Sequence, residues 1–409
     1  MRVLLYGLNF APEPTGIGKY TGELAEALCG AGHEVRVVTA LPYYPGWRIW
    51  KQYRGFGYRT ERASPALKVF RCPLWVPSRP TGWARLIHLF SFALSSLPVV
   101  LWQRLWRPEA VIVVVPTMFC LPGTLLALLG SRAKRIVHVQ DLEVDAAFEL
   151  GLVRGRTLRS LVIRIERGLL NRFDVVSSIS VKMLERLAQK GVVEDKLVLL
   201  PNWIHTQEIK PGSKMTSFRF DWGLEQDCVV ALYSGSMGEK QGVEVLMEAA
   251  ARLEKNASIR FVICSEGPAF ERVKTQYGHL SNVIWNGLVP QEKLNDLLNT
   301  ADIHLLPQRG GASDLVMPSK LTGMLAGGRP VVATAVPGTQ IADIVGNLGI
   351  VVLPEDPAAL AAAIEQLAND QTLREQLGAA ARAYAVENLS GNVILSRFER
   401  QLRELVNPA

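Results

Sequence analysis

Three short segments place glycines or a lysine directly after an apolar run, the arrangement that suits a bound phosphate. Tyr233-Ser-Gly235-Ser236-Met-Gly238-Glu-Lys240-Gln-Gly242 closes one such run and leads into a helix at about Gly242. Glycines there let backbone N–H groups approach an anion, and Lys240 adds an ammonium, a cradle for the diphosphate of a nucleotide-sugar. A strand–helix turn with a solvated lysine is the plainer alternative. Asp314-Leu-Val-Met-Pro318-Ser319-Lys320 sets Ser319 and Lys320 in the first turn of a helix through Met324. A lysine in a first turn opposes the helix dipole, a cost that a bound anion relieves. Thr15-Gly16-Ile17-Gly18 follows the first apolar run and opens a helix at Lys19, with the same free N–H groups. It is no dinucleotide fingerprint, because G-x-G-x-x-G is absent and the next strand ends Val38-Thr39-Ala40 without an acid for a ribose.

His138-Val-Gln140-Asp141-Leu-Glu143-Val-Asp145 lies where another strand ends. A carboxylate such as Asp141 could take a proton from an attacking hydroxyl or hold a sugar hydroxyl. A loop acid capping the next helix is the alternative. No Ser–His–acid set of defined spacing and no D-x-D metal signature occur, so neither a metal nor a cofactor is expected. The cysteines, Cys29, Cys72, Cys120, Cys228 and Cys264, are odd in number and widely spaced, which speaks for buried thiols rather than a disulfide framework or a zinc site.

Short β-branched runs alternate with helix-period runs, the pattern of parallel sheets with crossover helices. Strands are expected at Val3–Tyr6, Glu34–Thr39, Leu67–Cys72, Ala110–Val115, Arg135–Gln140 and Val175–Ser178. After a pause at Pro201-Asn202 and a polar stretch, they resume at Val229–Ser234, Ile259–Cys264, Val283–Asn286, Ile303–Leu306, Pro330–Thr334 and Gly349–Leu353. This reads as an α/β chain of two doubly wound, Rossmann-like domains facing a cleft, over 1–202 and 227–388. A linker over 203–226 joins them, and an amphipathic helix within 389–409 returns toward the first domain. Ligands of such sheets bind outside the carboxyl ends of the strands.

Charge divides the chain. Residues 1–205 carry 27 Lys+Arg against 15 Asp+Glu, and residues 206–409 carry 18 against 23. From Arg48 to Arg107 there are eleven basic residues and one acid, Glu61, with six of the nine tryptophans in or beside the stretch. Within it, Leu86–Trp102 is nearly uncharged and would form a helix of roughly 25 Å, short of a bilayer core of roughly 30 Å. It reads as an interfacial amphipathic helix, an ordinary buried helix or a span. In the first case Phe90, Phe92, Leu94 and Leu97 go down, while Trp83, Arg85, Trp102, Arg104, Trp106 and Arg107 meet headgroups. A pI near 9.2 also raises nucleic acid, but no reader motif accompanies the charge, so nucleic acid is not expected. The Met-Arg start runs straight into a strand without a leader-like segment, pointing to a cytoplasmic protein peripheral on the plasma membrane.

Taken together, Gly16-x-Gly18, Gly32-His33-Glu34-Val35, Pro201-Asn202, Glu266-Gly267-Pro268, Asn286-Gly287-Leu288 and Gly328-Arg329-Pro330-Val331-Val332 resemble the landmarks of the family 4 glycosyltransferases. Leu41-Pro-Tyr43-Tyr44-Pro45-Gly46, Gln140-Asp141-x-Glu143-Val144-Asp145 and Pro318-Ser319-Lys320-Leu321-Thr322 are similar to the colanic-acid-type exopolysaccharide branch. The resemblance implies the GT-B fold and retaining transfer of a sugar from a nucleotide-sugar, a GDP-sugar such as GDP-fucose, to a lipid-linked oligosaccharide. A donor site is expected at Gly16, Gly18, Gly235, Ser236, Lys240, Glu266, Gly287, Leu288, Asp314, Ser319 and Lys320, with the weight shifted to Lys240, Ser319 and Lys320 where this chain departs from the family. Tyr43, Tyr44, His138 and Asp141 would meet the acceptor or sugar, with Asp141 and Lys240 in the catalytic roles. The family's usual glutamate pair falls on Leu315 and Gly323, so neither acid is present. Its usual Arg and Lys in the second Gly-rich turn fall on Ser236 and Gln241. The rivals are a GT-B sugar-nucleotide epimerase and a non-catalytic scaffold that binds sugar-nucleotide or membrane.

Overall fold

The structure, a computed structural model, describes residues 1–14, 16–55, 57–78, 82–142, 144–145, 156–237, 241–310 and 318–408. It divides into two compact units, one of Met1–Pro201 with Leu395–Ala409 and one of Asn202–Ile394.

The first unit is an eight-stranded sheet in the order β3-β4-β2-β1-β5-β6-β7-β8. Its strands are β1 (Arg2–Gly7), β2 (Glu34–Ala40), β3 (Arg59–Ser64), β4 (Leu67–Cys72), β5 (Ala110–Val115), β6 (Lys134–Val139), β7 (Val175–Ser178) and β8 (Leu197–Leu199). All run parallel except β3, which pairs antiparallel with β4 at the sheet's edge. The central strand β5, AVIVVV, is buried at every position, as expected of a parallel strand covered on both faces.

Helix α1 (Gly16–Gly30) connects β1 to β2, and α2 (Gly82–Gln103) crosses from β4 to β5. Helices α3 (Cys120–Ala127), α4 (Arg156–Leu170) and α5 (Val181–Gln189) precede β6, β7 and β8. Every fourth residue or so of α2 faces the core: His88, Phe92, Ser96, Val100 and Gln103 are buried. Hydrogen bonds tie that seam to the sheet, Tyr6 Oη to Ser96 Oγ at 2.7 Å and Arg36 to Gln103 at 3.1 Å.

The second unit is a six-stranded, wholly parallel sheet in the order β11-β10-β9-β12-β13-β14. Its strands are β9 (Val229–Ser234), β10 (Ile259–Cys264), β11 (Val283–Asn286), β12 (Ile303–Leu306), β13 (Val331–Thr334) and β14 (Gly349–Val352). Residues 203–226 are less bare than the sequence suggests and hold helix α6 (Ser217–Asp221). Arg219 of α6 is fully buried, paired with Asp302 and donating to the carbonyls of Thr300, Glu225 and Cys228.

Helices α7 (Glu244–Arg252), α8 (Pro268–Tyr277), α9 (Leu294–Thr300), α10 (Ser319–Ala326), α11 (Gln340–Val345), α12 (Pro357–Asn369) and α13 (Gln371–Asn388) complete this unit. The last helix, α14 (Gly391–Val406), begins in the second unit and ends in the first. There Glu399 bonds His33 at 2.8 Å and Arg403 donates to Ala31 O.

Candidate active site

In the second unit the carboxyl ends of β9, β10, β11 and β12 share one edge of the sheet. Strand β9 is followed by Gly235, whose φ of +124° suits only glycine, and Tyr233 Oη donates to Ser236 O at 2.7 Å across the turn. Lys320, in the first turn of α10, reaches into this turn. Its Nζ donates to Tyr233 Oη at 3.2 Å, sits 4.4 Å from the centre of the Tyr233 ring, and lies 3.5 Å from where a Cβ on Gly235 would stand.

Burial holds the Lys320 ammonium down to about 8, and no carboxylate among the described residues forms an ion pair with it. A partly buried cation with no counter-charge among the described residues, facing a glycine turn and a helix N-terminus, is a place for an anion. The structure thus brings together Gly235, Ser236 and Lys320. Ser319 is exposed at the same helix start. Glu266, Gly287 and Leu288 stand exposed after β10 and β11. Lys240 and Asp314 lie outside the described residues, as do Gly238 and Glu143.

The turn has a second support. Gly242 (φ +57°) backs onto Arg309, whose Cγ would lie 2.7 Å from a Cβ there. Arg309 in turn donates to Glu244 at 3.2 Å.

In the first unit the loops after β1 and β2 meet. Their junction is Glu13, which sequence reasoning passed over. Its Oε1 accepts from the backbone N–H groups of Tyr43 (3.0 Å) and Tyr44 (2.9 Å), and its Oε2 accepts from Asn9 Nδ2 (2.8 Å). Only 3% of Glu13 is exposed, and burial pushes its carboxyl up against the pull of these three donors. A Cβ on Gly18 would stand 2.8 Å from Glu13, so the glycine is there for close packing of α1 on this loop. Gly16 has φ +63° and would present a Cβ 3.8 Å from the Tyr44 ring. The available signal was an acid between two prolines, Pro12-Glu13-Pro14, in an otherwise apolar loop.

Tyr44 is half-buried, and its hydroxyl is raised by burial and then by the charges of Asp141 and Glu13. Asp141 therefore faces Tyr44. The other two residues expected at the acceptor are placed differently. Tyr43 is 3% exposed, its ring packed edge-on against His88 at 4.7 Å and Trp47 at 5.5 Å, so it shapes the loop from beneath. His138 is buried with Nδ1 3.0 Å from Ser177 Oγ, and burial holds its ring down to about 4, neutral inside the sheet. Asp145 is buried too, bound by Arg186 at 2.8 Å and by Lys190, which also pairs with Glu166 at 2.8 Å. Asp141 and Asp145 thus divide: one at the loop surface, one in a buried ion network.

Helix α2 exposes the side opposite its seam. Trp83, Ile87, Phe90 and Leu94 are each more than half exposed, and Trp102 is 52% exposed. By length and composition Gly82–Trp106 could cross a bilayer. Its buried seam, hydrogen-bonded to β1 and β2, makes it instead a layer of the first unit. Two expectations need correction. Phe92 is two residues, some 200°, around the helix from Phe90; it packs into the core near Tyr6, and Leu97 is half-buried over Gly123. Trp106 is only half-exposed: Arg36 stacks on its ring at 4.3 Å and its Nε1 donates to Glu34. Arg85, Arg104 and Arg107 are exposed.

Known proteins agree with this architecture. The family description "Glycosyl transferase 4-like domain" matches residues 15–203, and "Glycosyl transferases group 1" matches residues 228–370. A protein of Escherichia coli (strain K12) named as a colanic acid biosynthesis glycosyl transferase, WcaI, is 39% identical over 98% of this chain and 100% of its own. Among solved structures, sucrose-phosphate synthase from Thermosynechococcus elongatus aligns with TM-score 0.74 at 18% identity, over 99% of this chain and 98% of its own. Anabaena Alr3699/HepE in complex with UDP-glucose aligns with TM-score 0.68 at 15% identity, over 99% of this chain and 100% of its own. These two likenesses speak for the fold alone, while the near-full-length relative and the two matched domains decide the class. The chain is a glycosyltransferase of family 4 with the GT-B fold, and belongs with the colanic-acid biosynthesis enzymes that WcaI represents.

Proposed function

We propose that this glycosyltransferase moves a sugar from a nucleotide-sugar, with a GDP-sugar such as GDP-fucose as first candidate, to a lipid-linked oligosaccharide. The product would be part of a colanic-acid-like exopolysaccharide, built on the inner face of the plasma membrane. The observation that carries the donor assignment is Lys320, a partly buried ammonium with no carboxylate partner among the described residues, beside the Gly235 turn. It is the group best placed to take the charge that grows on the departing diphosphate. Lys240 and the N–H groups at the start of α10 would add to it, and with these cations the reaction needs no metal.

In the step proposed, the bond from the sugar's anomeric carbon to the β-phosphate oxygen breaks as the acceptor oxygen bonds to that carbon. The acceptor's proton passes to the leaving phosphate, so the anomeric configuration is retained. Asp141 orients a sugar hydroxyl beside Tyr44 rather than serving as an obligatory base. The exposed apolar side of α2, flanked by Arg85, Arg104 and Arg107, supports docking on anionic lipid.

The test is a thermal-shift panel with GDP, UDP, ADP and their common sugars. Transfer to a lipid-linked acceptor is then followed with the best donor, and the product's anomeric configuration is determined. A ligand that binds only the folded protein raises its midpoint. Stabilisation by one diphosphate, and a product with the donor's configuration, is the expected result. No shift from any nucleotide would refute the donor site, and inversion would refute the proposed step.

A further inference from the structure

Helix α4 carries an apolar stripe that the proposed function leaves unused. Leu158, Leu161 and Ile165 recur at helical spacing and are 47%, 49% and 53% exposed, although the helix belongs to a folded α/β unit. Its buried anchors are Glu166 and Leu170, on the seam toward α5. The helix holds Arg156, Arg159, Arg164 and Arg167 against one acid, and that acid, Glu166, is paired inside with Lys190. Outward, α4 therefore offers greasy side chains edged by the exposed Arg164 and Arg167.

Topology sets this stripe on the same face of the sheet as the one on α2. The crossovers through α2, α3 and α4 all move across the sheet in one direction, from β4 toward β7, whereas α1 moves from β1 the other way to β2. Right-handed crossovers put the first three helices on one face and α1 on the other. The α2–α3–α4 face has exposed apolar side chains along its whole width: Phe90 and Leu94 on α2, Phe119 and Leu126 at α3, Leu161 and Ile165 on α4. Neither α1 nor the Leu395–Val406 part of α14, beside the α1–β2 turn, contributes one. Apolar exposure spread over three helices of a single layer and edged by arginine matches a wide anionic surface better than a pocket for one partner helix.

We propose that α4 is a second lipid anchor, which together with α2 and α3 lays one face of the first unit on an anionic bilayer. The inference rests on the membrane docking proposed for α2, and the experiment separates the two. The full-length protein is co-sedimented with phosphatidylcholine vesicles and with vesicles also containing phosphatidylglycerol. It is compared with an α4 variant (Leu158→Ser, Leu161→Ser, Ile165→Ser) and an α2 variant (Trp83→Ser, Phe90→Ser). Each set is expected to lower partitioning onto the anionic vesicles about tenfold or more, because binding scales with apolar area and charge, while nucleotide binding stays intact. Should the serine variant not fold, Arg164→Glu with Arg167→Glu tests the same helix through charge and is expected to reduce binding to the anionic vesicles.

Wild-type binding by the α4 variants, with loss in the α2 variant, would overturn the second anchor and leave α2 docking in place. Failure of the unaltered protein to bind any vesicle would overturn both. An α4 variant that turns a dimer into a monomer in light scattering, with vesicle binding unchanged, would make the stripe a contact between copies and also overturn the proposal.

Discussion

Raising the pH through 8 should release the donor. Lys320 is held down to about 8 by burial, from an ordinary 10.5. A bound diphosphate supplies a counter-charge and pushes the same ammonium back up, so the protonated form is the one that binds. The sign follows: affinity is full below the free-protein value, falls as pH rises through it, and levels off only above the bound-state value. The apparent dissociation constant should therefore be about tenfold weaker at about pH 9 than at about pH 7.

The same shift makes the empty site costly. Keeping Lys320 charged without an anion costs about 3 kcal/mol near neutral pH. Stability of the ligand-free protein should thus rise with pH above about 8, where the unfolded chain binds more protons than the folded one. Lys320→Met removes that cost. It should raise the melting midpoint of the ligand-free protein by a few degrees while abolishing nucleotide binding, and Lys320→Arg should bind with little pH dependence because its charge persists. Calorimetric titration of a nucleoside diphosphate from about pH 7 to about pH 9 reads the affinities, with the Arg variant correcting for titration of the ligand itself, and thermal melting of the ligand-free Met variant reads its midpoint. Flat wild-type affinity, or a Met variant that binds as tightly, would refute the reasoning.

Glu13→Gln turns one acceptor end into a donor that must face an N–H group, so it should cost about 2 kcal/mol and raise the acceptor KM while leaving donor hydrolysis unchanged. Gly18→Ala pushes its Cβ against the same carboxylate and should give a similar loss; with Glu13→Ala the two losses should be less than additive in a double-mutant cycle. Asp145→Ala strands Arg186 and half of Lys190's neutralisation, and denaturant unfolding should show a loss of about 3 kcal/mol. If Asp145 instead touched substrate, its loss would appear in kcat with stability intact.

Most of the parallel strands are readable from sequence because burial on both faces demands continuous β-branched runs, as in Ala110–Val115 and Val229–Ser234. The two strands that escape reading lack that demand. Strand β3, RTERAS, is a polar edge paired on one side, and β8 is three residues long. Helix α2 starts four residues before the apolar run and continues through Pro98, because its seam of every fourth residue, not its mean hydropathy, sets its extent. At the site, Lys320 and Gly235 are legible from local spacing, since a turn and a helix start declare themselves within a few residues. Glu13 is not, because its partners come from two loops thirty residues apart. His138 could have been read the other way: a lone polar residue in a strand buried on both faces is more often a core group bonded to its neighbour strand, here through Ser177.

The missing carboxylates and the low lysine are one arrangement. In the family that this chain resembles, an acid usually stands where Gly323 is found, one helical turn after Lys320. Here that position is buried in α10, and a Cβ on it would meet Leu298 at 3.4 Å. Residues three apart on a helix are neighbours, and a carboxylate there would hold the ammonium near its ordinary value. With glycine in its place, the partners of Lys320 among the described residues are the hydroxyl and ring of Tyr233, and burial lowers its ammonium. On the proposed donor reading, the substrate's own phosphates supply the counter-charge. A site built this way reads phosphate charge more than ribose hydroxyls, so it favours a nucleoside diphosphate over the monophosphate and leaves the choice of sugar-nucleotide to contacts beyond the ribose.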